Sequence, residues 1–338
     1  MTMKKVKGVS LDNIAWNENS TTNESRITNE RITFRQRVSQ DVKYQWRMVK
    51  KNKSKYIFIA PYVILFFVFT VCPVFISIFL SFTNFNMLEM PKFTGLQNYF
   101  RLFMADDIFV KALGNTIMFA LITGPCGYMI SLVMAWFINE LPRAARVIIT
   151  VLLYAPSLAG GMTPIFKIFF SSDAQGFLNA FLLDWGFITT PIKWLENATY
   201  VVPIIIFVVL WGSLGTSFLS FIAGLQGIGK EYYEAAAMDG IKNRWQELWY
   251  ITLPLMKPQL MFGAVMSITG AFNIGSIITG LAGNPSVDYS AHTIMQHLVD
   301  YGTVRFEMGY SSAIATVLFF IMIFLNKAIQ KFLNKVGE

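Results

Sequence analysis

Cysteine and histidine are almost missing from this chain, two of each among 338 residues, and charged side chains make up only 14% of it. Cys72 and Cys126 both fall inside long apolar runs, which excludes a secreted disulfide framework and leaves them as packing residues. His292 and His297 are five apart, not the four that puts two imidazoles on one helix face, so they form no zinc pair and are expected at the surface. No apolar segment follows the first lysines as a signal peptide requires, since the first greasy run begins near Ile57. Neither a short repeat nor an inverted repeat between the halves is visible, which weakens the case for many secondary-transporter folds. Carboxylates and histidine are also missing from the apolar runs, whereas proton-coupled carriers usually need one there. Nor is there a catalytic constellation. Asp106 and Asp107 are adjacent and point apart, and Gly224 to Lys230 has a phosphate-loop spacing but Glu231 where Ser or Thr is needed. A lone ion- or proton-coupled carrier and a membrane-embedded enzyme are therefore disfavoured alternatives.

What is present in excess is apolar. Hydrophobic residues make up 54% and aromatic residues 15%, and the mean hydropathy is positive, which argues against a soluble protein. A hydrocarbon core of ~30 Å needs ~20 helical residues. Six stretches free of Asp, Glu, Lys and Arg meet or approach that length: 56–88, 112–139, 147–166, 197–229, 258–287 and 308–326. The expected fold is thus an all-α membrane protein with six transmembrane helices in one domain over 56–335, the spans at about 57–82, 113–138, 147–170, 201–225, 258–282 and 309–330. With the N-terminus inside, 22 of the 28 Lys and Arg residues fall on the inner side and 6 on the outer. The positive-inside rule then places both termini in the cytoplasm. The same asymmetry accounts for the net charge of +8, and the basic residues ahead of the first span suit anionic membrane lipid, not nucleic acid.

Residues 1–33 are polar and charged, as in a disordered cytoplasmic tail. Phe34, Val38, Val42 and Trp46 then recur every four residues among Arg35, Arg37, Lys43 and Arg47, the pattern of an amphipathic interfacial helix over 34–55. Pro61 and Pro73 predict kinks in the first span. Gly124, Pro125 and Gly127 in the second span, and Pro156, Gly160, Gly161 and Pro164 in the third, predict breaks whose backbone must pack on protein or line a cavity. Lys167 is expected at the outer end of the third span, within reach of the interface. Phe177, Leu178, Trp185 and Trp194 suggest a short helix in the outer loop 171–199.

Residues 231–258 are the longest polar interruption in the second half of the chain. Glu231 to Met238 has the composition of a short helix and Gly240 is the residue that stops one. Ile241, Trp245, Leu248, Trp249 and Thr252 recur on one face of a second helix, with Pro254 and Pro258 ending the segment. Two short helices meeting at a glycine make a compact knob, suited to carrying force from a soluble partner into the bilayer.

Glu234-Ala235-Ala236, then Asp239-Gly240, then Ile251-Thr252-Leu253-Pro254 resemble the EAA loop of bacterial ABC importer permeases. The Asp-Gly pair and the Ile-Thr-Leu-Pro ending resemble the carbohydrate-uptake branch, which includes the maltose and oligosaccharide transporter permeases. Phe93 to Tyr99 and Phe109 to Thr116 resemble the same branch, so the likeness runs from about Tyr56 to the last span. One departure stands out: ten residues separate Gly240 from Ile251, one more than usual, and the extra one is expected within Ile241 to Arg244. The resemblance implies a type I importer permease fold in the inner membrane of a bacterium, with 231–258 as the coupling helix loop and no catalysis by this chain. It implies as partners a second homologous permease subunit, two cytoplasmic ATPase subunits and an external sugar-binding protein. ATP and magnesium belong to the ATPases, so no cofactor is expected here. Glu234, Ala235, Ala236, Asp239, Gly240, Trp245, Leu253 and Pro254 are the expected coupling residues, with Glu234 pairing with a basic group on the ATPase and Gly240 supplying the bend.

The fifth span gathers Ser267, Thr269 and Asn273 near its middle, with Phe272 beside them. Polar groups at that depth are either interhelical glue or the lining of a polar passage. An amide that donates and accepts suits a hydroxyl-rich ligand, and aromatic faces suit its ring. Ser267, Phe272 and Asn273 also resemble, by position, residues lining the sugar site of the maltose permease. Trp211, Ser213 and Thr216 in the fourth span have spacings that face the same passage. The expected substrate is a sugar, an oligosaccharide by the resemblance.

Overall fold

The computed structural model of the protein describes residues 53–158 and 162–334. The tail expected over 1–33 lies outside the described residues, as does the amphipathic helix expected over 34–55 up to residue 52. The first apolar segment is α1 (Lys53–Phe66), a π turn (Phe67–Val71) and α2 (Cys72–Leu80). Its stretch Ile57–Leu80 is 24 residues of mean hydropathy 2.8. A short antiparallel hairpin, β1 (Thr83–Asn84) and β2 (Lys92–Phe93), sets Thr83 opposite Phe93. Next come α3 (Gln97–Met104), α4 (Asp107–Asn139), α5 (Arg143–Leu158), α6 (Met162–Phe169), α7 (Phe177–Asp184), α8 (Ala198–Trp211) and α9 (Thr216–Gly227). The polar interruption holds α10 (Lys230–Met238), α11 (Arg244–Glu247), a second π turn (Leu248–Thr252) and α12 (Leu253–Leu255). α13 (Lys257–Phe272), α14 (Gly275–Ala282), α15 (Ile294–Val299) and α16 (Met308–Asn334) complete the chain.

Among the described residues, five helical stretches are long and apolar enough to cross a membrane, and a sixth arises if Arg143–Ser157 and Met162–Phe169, inclined by 81°, count as one broken span. Proline shapes these spans unevenly. α4 runs for 33 residues straight through Pro125, so the break expected there does not occur. Pro73 and Pro254 each follow a π turn with one residue between, and in both cases the next N–H bonds five residues back, Cys72 to Phe67 and Leu253 to Leu248. The wider turn shifts the backbone register ahead of a residue that has no N–H of its own.

α4 is the axis of the packed region. It lies against α8, α9 and α13, and α16 closes on α13. Near the knob, Leu132, Ala135, Ile138, Phe218, Phe221, Leu225, Met256 and Leu260 form one buried cluster. At the far end, Phe119, Val201, Ile205, Val208, Ile274 and Ile278 form another. A third joins Phe109, Ile268, Phe272, Ile294, Tyr310 and Ile314. α13 approaches α9 so closely that a Cβ on Gly263 would sit 2.3 Å from Phe221 Cζ, and Tyr128 meets the same ring edge-on at 5.3 Å. That ring therefore has no room to yield.

The far end is tied by polar side chains. Asn179, fully buried, donates to the carbonyls of Ser171, Asp173 and Ile192 and accepts from Ile192 N and Trp194 Nε1. Asn98 donates to Ser81 O and Thr83 O, both at 2.9 Å. Gly263→Ala should cost about 1–3 kcal/mol by overpacking against Phe221. A fall of several degrees in the apparent melting temperature of the purified protein checks this, with Gly270→Ala, whose Cβ meets nothing within 4 Å, as the variant expected to stay near wild type.

Candidate functional site

Spans are interrupted at three places, and residues flanking each interruption line one cleft. Gly212 to Gly215 part α8 from α9, Asn273 and Ile274 part α13 from α14, and residues 159–161 lie between α5 and α6. At the first break the chain turns on itself, with Gly215 N donating to Ser213 O at 2.8 Å. At the second, Asn273 ends α13 at φ −99° and ψ 18°, its N–H on Gly270 O. Irregular backbone at membrane depth persists only where protein or a wet cavity satisfies it. Here a cleft of about 830 Å³ runs past Ser157, Thr163, Lys167, Gly212, Ser213, Thr216, Asn273 and Ser276.

The polar side chains of this cleft divide into two sets. Thr123, Ser157, Ser213 and Ser217 spend their hydroxyls on backbone carbonyls of Phe119, Tyr154, Leu210 and Gly263. Ser217 also meets Ser267 at 3.4 Å, and Ser131 donates to Ser213 O, joining α4, α9 and α13. The Ser217 and Ser131 bonds are interhelical ties, while those of Thr123, Ser157 and Ser213 go to carbonyls three or four residues back. Thr163, Thr216, Asn273 and Ser276 make no side-chain hydrogen bond among the described residues, so their donors and acceptors face the open space. Val208, Val209, Met266, Ile274 and Ile277 supply apolar wall between them.

Of the residues expected on the path, Ser213, Thr216, Ser267 and Asn273 are brought together here. Phe272 is not. It lies one helical step, about 100°, round α13 from Asn273 and is buried in the cluster with Phe109 and Tyr310. Trp211 is outside the lining and half exposed, packed against Phe166 and Phe207. Ser157, Thr163, Lys167, Ser217 and Ser276 were not singled out from the sequence as lining. The signal for three of them was the Pro156 to Pro164 interruption, whose bend brings α6 to the cleft and Lys167 with it.

The knob is built as two helices about a bend. α10 ends in a Schellman arrangement: Ile241 N donates to Ala236 O, Gly240 N to Ala237 O, and Gly240 takes φ +92°. Asn243 caps the next turn by accepting from Trp245 N at 3.0 Å. Helix then continues through Pro254 to Leu255 and breaks at Met256, between the two prolines expected to end the segment; the π turn over Leu248–Thr252 prepares the backbone for Pro254. A π turn holds one residue more than an α turn. The turn over Leu248–Thr252 therefore carries one residue more than a regular helix would. This also rotates the packed face: Ile251 and Thr252 are buried, while Trp249 is 63% exposed and does not anchor the helix.

What holds the knob to the bundle is a short set of contacts. Trp245 lies 5.1 Å from Trp136 at the end of α4, and Arg244 bridges Glu140 at 3.2 Å and Glu247 at 2.8 Å. Tyr233 and Thr252 share a hydrogen bond of 3.1 Å between the two halves. Met256, fully buried, joins the knob to the base of α13. Ala236 is buried, whereas Glu234, Ala235, Met238, Asp239, Trp249 and Tyr250 are exposed, and Glu234 has no ion pair among the described residues.

Both histidines depart from expectation. His292 and His297 are 3% and 2% exposed, not surface residues, because their partners come from elements far off in the chain. His297 Nε2 meets Asp106 Oδ2 at 3.0 Å, and Tyr310 OH donates to the same oxygen at 2.7 Å. Asp106 Oδ1 meanwhile caps α4 by accepting from Phe109 N. With Nε2–H of His297 on the carboxylate, its Nδ1 is left to accept from His292 Nε2 at 3.4 Å. Burial pushes His292 down to about 4, helped by His297. Burial also outweighs Asp106 in lowering His297. Asp106 is raised by burial but held below its ordinary value by Tyr310, Phe109 N and His297. No group of three His, Cys, Asp or Glu able to hold a metal occurs among the described residues.

Residues 127–335, which include both the cleft breaks and the knob, match the family described as binding-protein-dependent transport system inner membrane component. The chain belongs to that family. Among similar proteins, this permease is 34% identical to the probable ABC transporter permease protein YesP of Bacillus subtilis (strain 168), over 81% of this chain and 88% of that one. It is 31% identical to the arabinooligosaccharides transport system permease protein AraP of the same strain, over 83% and 89%. Among solved structures, its fold matches a chain of a bacterial ABC transporter involved in the import of the acidic polysaccharide alginate. That match has a TM-score of 0.71 at 20% identity and covers 87% of this chain and all of the other. The all-helical, multi-pass fold of an ABC importer permease is thereby shown.

Acid should loosen the far end of this permease. His292 is lowered in the folded protein, so below its ordinary value of ~6.5 the unfolded chain takes up a proton that the folded chain refuses, and stability falls as pH drops from there toward about 4. At pH 5.5 the loss is about 1.4 kcal/mol. Thermal unfolding of the purified permease between pH 7.5 and 5 checks this, the slope being shallower in His292→Gln.

Proposed function

We propose that this permease is one of two homologous membrane subunits of an ATP-driven sugar importer, with the knob and both termini in the cytoplasm. The observation that carries this reading is α13. It begins at Met256, inside the knob's packing, and ends at Asn273, in the cleft. At ~1.5 Å per residue it is a rigid rod of roughly 24 Å between the two. Movement of the knob must therefore move one wall of the cleft.

Cytoplasmic ATPase subunits dock on the exposed knob surface, hold the ATP and magnesium, and supply the work; this chain is non-catalytic and binds no cofactor. Glu234 pairs with a basic group on the ATPase, Ala235 and Ala236 give the close approach, and Asp239 and Gly240 form the bend. Trp245, Leu253 and Pro254 fix the second half of the knob to the bundle. A binding protein delivers sugar to the opposite face, and Ser213, Thr216, Ser267 and Asn273 contact its hydroxyls in passage. The basic asymmetry of the sequence, 22 Lys and Arg residues against 6, supports the orientation. Relatives named for arabinooligosaccharide and lactose transport support the sugar.

In proteoliposomes holding the complete importer, Asn273→Leu should lower sugar uptake about tenfold, as expected for one lost buried polar partner, while ATP hydrolysis persists. Wild-type uptake in that variant removes Asn273 from the path. Gly240→Val strains a φ of +92° and should leave ATP hydrolysis running without matching uptake. An unchanged ratio of sugar moved to ATP hydrolysed counts against the bend as the coupling element.

A further inference from the structure

We propose that the substrate is an acidic sugar, and that the Lys167 ammonium is the group that receives its carboxylate; this rests on the cleft being the sugar path. Lys167 stands on α6 and lines the same cleft as Thr163 and Asn273. It is the one charged residue in that lining, which contains no aspartate or glutamate.

The other described cations of the same end are all engaged. Lys92 pairs with Glu89, Lys193 with Glu196, Arg101 with Glu307 and Arg305 with Asp300, while Lys111 donates to Asp288 O. Lys167 makes no ion pair or hydrogen bond among the described residues. The acid nearest to it in sequence, Asp173, is held by Ser171. Lys167 is exposed in the cleft, so its ammonium is open to an incoming anion. A neutral sugar gives it no anion, and its hydroxyls are already matched by Thr163, Thr216, Asn273 and Ser276. A uronate gives it a carboxylate, with a charge-assisted hydrogen bond about twice as strong as a neutral one. The same ammonium also fits a lipid phosphate, the one other anion within this setting. The lining position and the unspent polar groups around it favour the translocated carboxylate.

The test uses cells carrying the complete importer, fed short oligogalacturonates together with the same pool reduced at its carboxyl groups to neutral hexoses. Wild type is expected to take up the acidic pool in preference. In Lys167→Met the ratio of acidic to neutral uptake should fall about tenfold. Lys167→Arg should restore most of that ratio. Equal loss of both pools in Lys167→Met assigns the lysine to anchoring α6 at lipid phosphate and overturns the proposal. A wild-type preference for the neutral pool overturns it while leaving the sugar path standing. Uptake of neither pool also overturns it, and leaves the sugar path to be read from neutral oligosaccharides of other kinds.

Discussion

Backbone amides and carbonyls in a hydrocarbon medium must be satisfied by the protein itself, and that constraint organises this fold. α4 obeys it in the simplest way, as one helix of 33 residues whose proline is absorbed without interruption. The spans facing it break it at Gly212–Gly215 and Asn273–Ile274, and the broken ends meet over one cleft lined with polar side chains. The cleft is thus a consequence of the interruptions. Its polar side chains, Thr216 and Asn273 above all, sit where helices start and stop, since those are the positions where a side chain and an open backbone reach the same space.

A second constraint is mechanical. The knob is fastened at few points: the Trp136–Trp245 contact, the Arg244 bridge to Glu140, and the burial of Ile251, Thr252 and Met256. The ion pair is largely exposed and contributes on the order of 0–1 kcal/mol, so it orients more than it stabilises. The apolar burial does the holding. With the remaining knob surface left exposed, the segment is firmly joined to α4 and α13 and open toward a partner. At the opposite end Asp106 plays the corresponding part, tying the start of α4 to α15 and α16 through His297 and Tyr310.

The uncharged runs made the helical, membrane-spanning class legible, because lipid demands length and apolarity from contiguous residues. Glu234 to Pro254 made the family legible, because small residues, a glycine bend and a proline ending all serve one local structure. What remained hidden depends on contacts distant in the chain or on helical phase. His292 and His297 look like loop residues until Asp106, 191 positions from His297, supplies a buried partner. Asn179 is one asparagine among the apolar residues of α7, and only the fold brings five hydrogen bonds onto it. Phe272 and Asn273 are neighbours in sequence and one helical step apart in direction, which sends the first into the core and the second into the cleft. Lys167 reads as a terminal, interfacial lysine until the bend after α5 redirects it.

The π turn ahead of Pro254 has an effect beyond accommodating proline. By carrying one additional residue, it rotates everything before it by about 100° relative to everything after it. Trp249 and Tyr250 are therefore presented outward, where a regular helix would turn a different pair of side chains to that side. One residue of register at this turn thus decides which side chains the knob shows to the outside.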